Sequence, residues 1–194
     1  GECVPYARYG ESCDSVIEQV ESLRQDIRQG MDRMQLQQAL PAGAARNALD
    51  CAFWDLQAKT RGQRVWELLG LSSVRPLTTA YTLSLDSPAK MEAAARNNAA
   101  RPLLKLKLAG EGDLERVRGV RLGAPRSRLI VDANEGWDIG AYRRTVPELL
   151  QLGVELIEQP LPAADDEALL SLARPIPVCA DEACHDRGSL GWIA

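Results

Sequence analysis

Two lysines in one short run have the spacing of a reactive pair. Lys105 and Lys107 alternate with leucines, and successive side chains of a β-strand point to opposite faces, so both ammonium groups would share one face. A solvated sheet edge would accommodate such a pair. On the interior face of a barrel, two adjacent positive charges would instead require acidic partners, because unpaired buried charge is costly.

Three acids follow at intervals of about 25 residues. Asp132, Glu158 and Asp181 each stand at the end of an apolar run. Any one of them alone could be a helix N-cap or a loop charge. If the runs are successive parallel strands of a barrel, the three carboxylates converge at its active-site face. A hard divalent cation such as Mg²⁺, which prefers oxygen ligands, would then neutralise their repulsion.

Short strands that alternate with helices would position these residues. Up to about residue 75 the apolar spacing predicts helices, and from Leu77 onward it predicts βα units. The predicted strands are Thr78–Leu83, Leu103–Leu108, Leu129–Ala133, Val154–Glu158 and Pro177–Asp181. Helices are predicted near Pro88–Ala100, Asp113–Leu122, Ala141–Leu152, Asp165–Ala173 and Arg187–Ala194. This interval favours a (β/α)8-type barrel over an open doubly wound sheet, because no G-x-G-x-x-G turn follows any strand.

Four segments of the predicted barrel resemble the enolase superfamily, in particular its muconate-lactonising subgroup. They are KLK (105–107), VDANEGW (131–137), IEQPLP (157–162) and CADEACH (179–185). The segments GECVPYARYGES (1–12) and AGAARNALDCAFWDLQAKTRG (42–62) are similar to the capping domain of that family.

The resemblance implies an α/β fold, a partial TIM-like (β/α)7β barrel with an α+β capping domain. Residues 1–75 are expected to form part of the cap, and residues 76–194 to carry barrel strands one to five with their helices. The start of the cap and the last barrel strands are expected to be lacking from this chain.

The resemblance also implies roles for the five charged residues. Asp132, Glu158 and Asp181 would hold Mg²⁺. Lys107 would be the acid/base that removes or returns the proton α to a carboxylate, through an enediolate, and Lys105 would disfavour the protonated form of Lys107. Epimerisation needs a base on the opposite face of the substrate, which the family places on the sixth strand, beyond residue 194.

The expected function is therefore a Mg²⁺-dependent epimerase or racemase, with dipeptides such as L-Ala-D/L-Glu as the preferred substrate class. Three other enzymes of the subgroup stay open, namely o-succinylbenzoate synthase, N-acylamino acid racemase and muconate cycloisomerase. A non-catalytic Mg²⁺-binding fragment stays open as well.

Five further residues are weaker site candidates. Asn134, Glu135 and Glu182 follow the acids closely and could support the metal ligands or Lys107, although loop capping would explain them equally well. Tyr81 and Thr82 lie near the end of the first barrel strand and could line the substrate pocket, with core packing as the alternative.

Composition restricts the partners. With 23 basic and 27 acidic residues the net charge is −4, and no basic stripe is present, so we do not expect nucleic acid to bind. No apolar run is long enough for a membrane span, and residues 1–10 lack the basic and apolar regions of a signal peptide. Five cysteines at irregular spacing indicate reduced thiols and a cytoplasmic protein. The expected partner is a small dipeptide, and homo-oligomerisation is left open.

Overall fold

The structure, a computed structural model, describes residues 1–193. It divides into two compact units, with the boundary between residues 76 and 77. Among the described residues, no helix combines the length and the apolar character needed to cross a bilayer.

The first unit is helical. A short 3₁₀ helix, Ala7–Tyr9, precedes five α-helices, which are α1 (Cys13–Ser22), α2 (Arg24–Arg28), α3 (Arg33–Ala39), α4 (Ala44–Arg61) and α5 (Val65–Leu68). Helix α1 begins at a capping box in which the hydroxyl of Ser12 accepts a hydrogen bond from the backbone of Ser15. Helix α4 ends at Gly62, whose left-handed φ of 61° suits a residue without Cβ. A small core centred on Leu23, Leu36 and Leu40 holds these helices together.

The second unit contains a five-stranded parallel sheet whose strands are ordered as they occur in the chain. The strands are β1 (Tyr81–Leu83), β2 (Leu103–Lys107), β3 (Arg128–Asp132), β4 (Val154–Glu158) and β5 (Val178–Cys179). The helices are α6 (Pro88–Asn97), α7 (Asp113–Gly123), α8 (Ile139–Gln151) and α9 (Leu190–Ile193), with a 3₁₀ helix at Ala163–Ser171. A doubly wound sheet reverses its strand order at a switch point, so the sequential order supports the barrel prediction.

Burial of leucines on one face of β2 determines which way the lysines point. Leu104 and Leu106 are completely buried in the apolar core of this unit, which also contains Val117 and Val120 of α7. Full burial of one such side chain stabilises the fold by about 1.5–3 kcal/mol. The alternating lysines are therefore directed to the opposite face of the sheet, as period 2 predicts.

All five predicted strands are present, with differences at the ends. Strand β5 stops at Cys179, two residues before Asp181, because β4 supplies register partners only to Val178 and Cys179. The helix predicted over Asp165–Ala173 is a 3₁₀ helix over Ala163–Ser171. The final helix covers only Leu190–Ile193, and the last residue of its predicted range, 194, lies outside the described residues.

Candidate active site

One row of side chains crosses the sheet from β2 to β5. In the parallel register Lys107 pairs with Asp132, Asp132 with Glu158, and Glu158 with Cys179. Register partners in a parallel sheet point to the same face, so the base candidate and two of the acids share the face opposite the leucine core.

The third acid joins them from the loop after β5. One carboxylate oxygen from each of Asp132, Glu158 and Asp181 lies within 4.8 Å of the other two. The structure thus brings together all three predicted metal ligands, although they are about 25 residues apart in sequence. Asp132 is buried, Glu158 is half-buried and Asp181 is exposed.

Both lysines contact these acids. The Nζ atom of Lys105 lies 2.9 Å from Asp132 Oδ2 and 2.7 Å from Glu158 Oε1, and the Nζ atom of Lys107 lies 2.7 Å from the same Asp132 Oδ2. The shared carboxylate offsets the repulsion between the two ammonium groups. The acidic partners that an inward-facing lysine pair requires are therefore present.

The electrostatics of the cluster follow from burial and from these contacts. Burial acts to lower the pKa of Lys105, but hydrogen bonds to Glu158 and Asp132 outweigh it and the pKa is raised. Burial acts to raise the pKa of Asp132, but hydrogen bonds from Lys107 and Lys105 outweigh it and the pKa is lowered. The pKa of Glu158 is raised, chiefly by burial, which outweighs the hydrogen bond from Lys105.

The donor set fits a magnesium ion. All three residues offer carboxylate oxygens, the ligands that a hard cation prefers. Each oxygen lies about 2.1 Å from Mg²⁺, so neighbouring oxygens of an octahedron are about 3 Å apart and opposite ones about 4.2 Å. The three carboxylate oxygens lie within 4.8 Å of one another and would draw closer together around the ion.

The two pocket candidates on β1, Tyr81 and Thr82, lie on opposite faces of the sheet. Thr82 pairs in register with Lys105 and lies on the site face. Tyr81 pairs with the buried Leu104, so it lies on the opposite face, where its ring stacks 3.9 Å from the guanidinium carbon of Arg101. The structure therefore does not bring Tyr81 to the site, because alternation along the strand turns neighbouring side chains in opposite directions.

The loop candidates contact the site in different ways. The backbone N–H of Asn134 donates to Asp132 Oδ1 at 3.1 Å, and its side-chain amide donates to Glu182 Oε1 at 3.3 Å. The carboxylate of Glu135 instead accepts a hydrogen bond from the backbone N–H of Ala163 at 2.8 Å and so joins the loops after β3 and β4. Asn134 thus contacts Asp132 directly and Glu182 contacts Asn134, whereas Glu135 has the loop-capping contact that was its alternative explanation.

Two polar groups near the site were not singled out from the sequence. Gln159 is 1% exposed and has a positive φ of 34°. Asp113 is 2% exposed and accepts hydrogen bonds from Ala109, Gly110 and the indole of Trp137, which fixes the loop that follows Lys107. The Gln of the IEQPLP segment was the available signal for Gln159. The contacts of Asp113 span loops and have no sequence period.

A sequential βα sheet with strand-end acids and an inward lysine pair defines a barrel enzyme scaffold of the enolase type. The sequence comparisons agree. Residues 1–70 match the mandelate racemase/muconate lactonizing enzyme N-terminal domain, and residues 89–193 match the enolase C-terminal domain-like family. The chain belongs to the enolase superfamily, and its fold is part of a TIM barrel together with part of a capping domain.

Among curated proteins, the chain is 45% identical to an L-Ala-D/L-Glu epimerase of Escherichia coli (strain K12) over 98% of this chain and 60% of the relative. It is 44% identical to an N-acetyl-D-glutamate racemase of a Pseudoalteromonas species over 99% of this chain and 61% of the relative. The chain thus spans about 60% of the length of these two relatives.

Solved structures give the same neighbours. An enolase family member from Agrobacterium tumefaciens with homology to dipeptide epimerases, with bound sodium and L-Ala-L-Glu, has a TM-score of 0.91 at 46% identity, covering 98% of this chain and 58% of that one. A dipeptide epimerase from Methylococcus capsulatus complexed with a Mg ion has a TM-score of 0.78 at 30% identity, covering 93% of this chain and 56% of that one.

Proposed function

We propose that this chain provides the metal site and one acid/base of an epimerase or racemase that acts on the α-carbon of N-acylated glutamate, with L-Ala-D/L-Glu as the preferred substrate. The observation that carries this proposal is the inward row that joins Lys107 to two of three converging carboxylates. An Ala-Glu dipeptide and N-acetylglutamate, named for the two relatives, both present a glutamate α-carbon between an amide and a carboxylate.

The difficulty of the reaction determines the parts it needs. A proton α to a carboxylate is weakly acidic, so negative charge that develops on the carboxylate oxygens must be stabilised where it forms. A magnesium ion held by Asp132, Glu158 and Asp181 would supply that positive charge. The magnesium-bound dipeptide epimerase from M. capsulatus supports the choice of metal.

Lys107 is proposed to hold or accept the moving proton. Its side chain is 37% exposed, more than that of Lys105, so a substrate can reach its Nζ atom. Lys105 contacts Asp132 and Glu158 and so restrains both carboxylates. The family resemblance implies that the base for the opposite face of the substrate lies on a sixth barrel strand, and the sheet of the described residues has five strands.

Cytoplasmic residence is part of the proposal. All five cysteines are free thiols, as a reducing compartment would keep them. The proposed partner is the small N-acylated substrate.

The test is exchange of the α-proton, which one acid/base can catalyse without a partner on the opposite face. The full chain is incubated in D₂O with Mg²⁺ and, separately, each glutamate stereoisomer of L-Ala-Glu and of N-acetylglutamate, and the α-proton signal is followed by proton NMR. We expect exchange in one stereoisomer of at least one substrate, and we expect a chelator to suppress it. Lys90→Ala, which removes an exposed lysine paired with Asp86, is the matched control and should leave the rate unchanged. Tight Mg²⁺ binding without any exchange would favour a non-catalytic magnesium-binding fragment instead.

A further inference from the structure

Gln159 uses every hydrogen-bonding group that it has. Its Oε1 atom accepts from the backbone N–H groups of Asp181 at 2.9 Å and Ala183 at 3.0 Å. Its Nε2 atom donates to Leu161 O at 2.9 Å and to Asp166 Oδ1 at 3.1 Å. Its backbone N–H donates to Cys179 O, and its backbone carbonyl accepts from the N–H of Glu135, both at 2.9 Å.

The backbone of Gln159 is strained. Its φ of 34° lies in the left-handed region that non-glycine residues rarely occupy. The neighbouring loop contains two further non-glycine residues of positive φ, Asn134 at 45° and Glu135 at 63°. Such conformations cost of the order of 1–3 kcal/mol each and persist where surrounding contacts impose them, often at functional sites.

The three carboxylates are not held equally well by the sheet. Asp132 and Glu158 are the last residues of β3 and β4, and strand pairing fixes their backbones. Asp181 lies beyond the last residue of β5 and has no register partner. Its backbone N–H nevertheless has a defined acceptor, the side chain of Gln159, the residue that directly follows the second acid.

We propose that Gln159 is the positioning residue for the third metal ligand: by holding the Asp181 and Ala183 N–H groups, its side-chain oxygen fixes where the Asp181 carboxylate meets Asp132 and Glu158. This inference rests on the proposed metal site. It deepens that site by naming what aligns the one ligand that the sheet does not hold.

The contacts also explain why the residue is a glutamine. One end must accept two N–H groups, and the other must donate to a carbonyl and to the carboxylate of Asp166. Glutamate would place an acceptor against Leu161 O and Asp166 Oδ1. Methionine has a similar length but would leave two buried backbone donors without a partner.

The experiment is a double-mutant cycle on magnesium affinity in the full chain, measured by isothermal titration with Mg²⁺ alone. We expect Gln159→Met to weaken Mg²⁺ binding by about 10–100-fold, the range found when a residue that orients a ligand is removed. In an Asp181→Asn background the same change should have little further effect, because the carboxylate that Gln159 aligns is already gone.

Ser127→Ala is the control for a purely structural effect. Ser127 is 3% exposed, its hydroxyl donates to Arg101 O at 2.8 Å, and it precedes β3 at the end of the strand away from the site. This variant should lower the melting temperature without changing the Mg²⁺ dissociation constant. If circular dichroism shows that Gln159→Met does not fold, Gln159→Asn, which keeps the amide but shortens its reach, replaces it in the cycle.

The outcomes distinguish a failure of the proposed metal site from a failure of the positioning role of Gln159. A wild-type chain that does not bind Mg²⁺ would overturn the proposed metal site itself. A wild-type chain that binds, with an unchanged dissociation constant in the Gln159 variant, would overturn the positioning role alone. An equal fold-loss of Mg²⁺ affinity from Gln159→Met in the wild-type and Asp181→Asn backgrounds would also overturn the positioning role, since Gln159 would then act on another part of the site.

Discussion

Replacing Lys105 by methionine should destabilise the metal-free protein and make it more dependent on magnesium. The ammonium group of Lys105 contacts Asp132 at 2.9 Å and Glu158 at 2.7 Å. The side chain of Lys105 is 20% exposed, that of Asp132 is 0% exposed and that of Glu158 is 17% exposed. Methionine preserves the length of the side chain but removes the charge. The carboxylates then repel each other, with the contact from Lys107 to Asp132 as the remaining lysine contact.

The size of the effect follows from the distances. At an effective dielectric constant of about 20, each contact is worth about 6 kcal/mol of Coulomb energy. Desolvating the ammonium costs several kcal/mol, so we expect a net loss of about 3 kcal/mol, at the low end for breaking a buried ion pair. Because the acids raise the pKa of Lys105, its contribution is complete below the pKa of unfolded lysine, about 10.4, and is lost as pH rises through the higher folded value.

The assay is urea denaturation of wild type and Lys105→Met at neutral pH, with a chelator and with saturating Mg²⁺. Magnesium restores positive charge among the acids, so the deficit of the variant should shrink when the ion is present. Lys90→Met is the control, since its pair with Asp86 is exposed and should contribute less than about 1 kcal/mol. Equal stability of Lys105→Met and wild type in chelator would refute the argument from buried charge.

Three further changes test other parts of the account. Glu158→Gln should weaken Mg²⁺ binding in a calorimetric titration, and unchanged affinity would count against the three-acid site. Leu106→Ala, at a completely buried position, should cost about 2–5 kcal/mol in the free energy of unfolding by urea, whereas a negligible loss would show that the leucine face of β2 is not core. The pKa of Asp166 is raised, chiefly by burial; the charge of Glu135 adds to this effect and the hydrogen bond from Gln159 opposes it. Ionisation of Asp166 therefore destabilises the fold as pH rises from the unfolded pKa, about 3.9, through the higher folded pKa. Asp166→Asn should therefore gain stability relative to wild type in thermal melts as pH rises above about 4, and a pH-independent difference would contradict the raised pKa.

The sequence predicts the sheet and the acids well because both depend on simple periods. Alternation along β2 places Lys105 and Lys107 on one face, and the interval of about 25 residues places acids at the ends of successive strands. The same alternation, applied to β1, would have excluded Tyr81 from the site face once Thr82 was placed there. The prediction for Tyr81 rests on closeness in sequence, which along a strand does not mean a shared face.

Contacts between loops have no such period. The hydrogen bonds that Gln159 Oε1 accepts from the backbone N–H groups of Asp181 and Ala183 join residues 22 and 24 positions apart, which no side-chain pattern reveals. The 3₁₀ helix Ala163–Ser171 and the early end of β5 likewise depend on local hydrogen bonding. Helix α3 had a sequence signal that was overlooked, a capping box of Asp32 and Gln35.

Exchange of the glutamate α-proton tests the central claim most directly. L-Ala-L-Glu and L-Ala-D-Glu are incubated separately with the full chain and Mg²⁺ in D₂O, and the α-proton signal is followed by proton NMR for wild type and Lys107→Ala. The account predicts loss of the signal from one of the two stereoisomers with wild type, because Lys107 serves one face of the α-carbon. This loss should be slowed by about 10²–10⁴-fold in the variant, the usual contribution of a general base. Equal exchange rates in the two proteins would contradict the role of Lys107, and no exchange with wild-type protein that binds Mg²⁺ would contradict the proposed function.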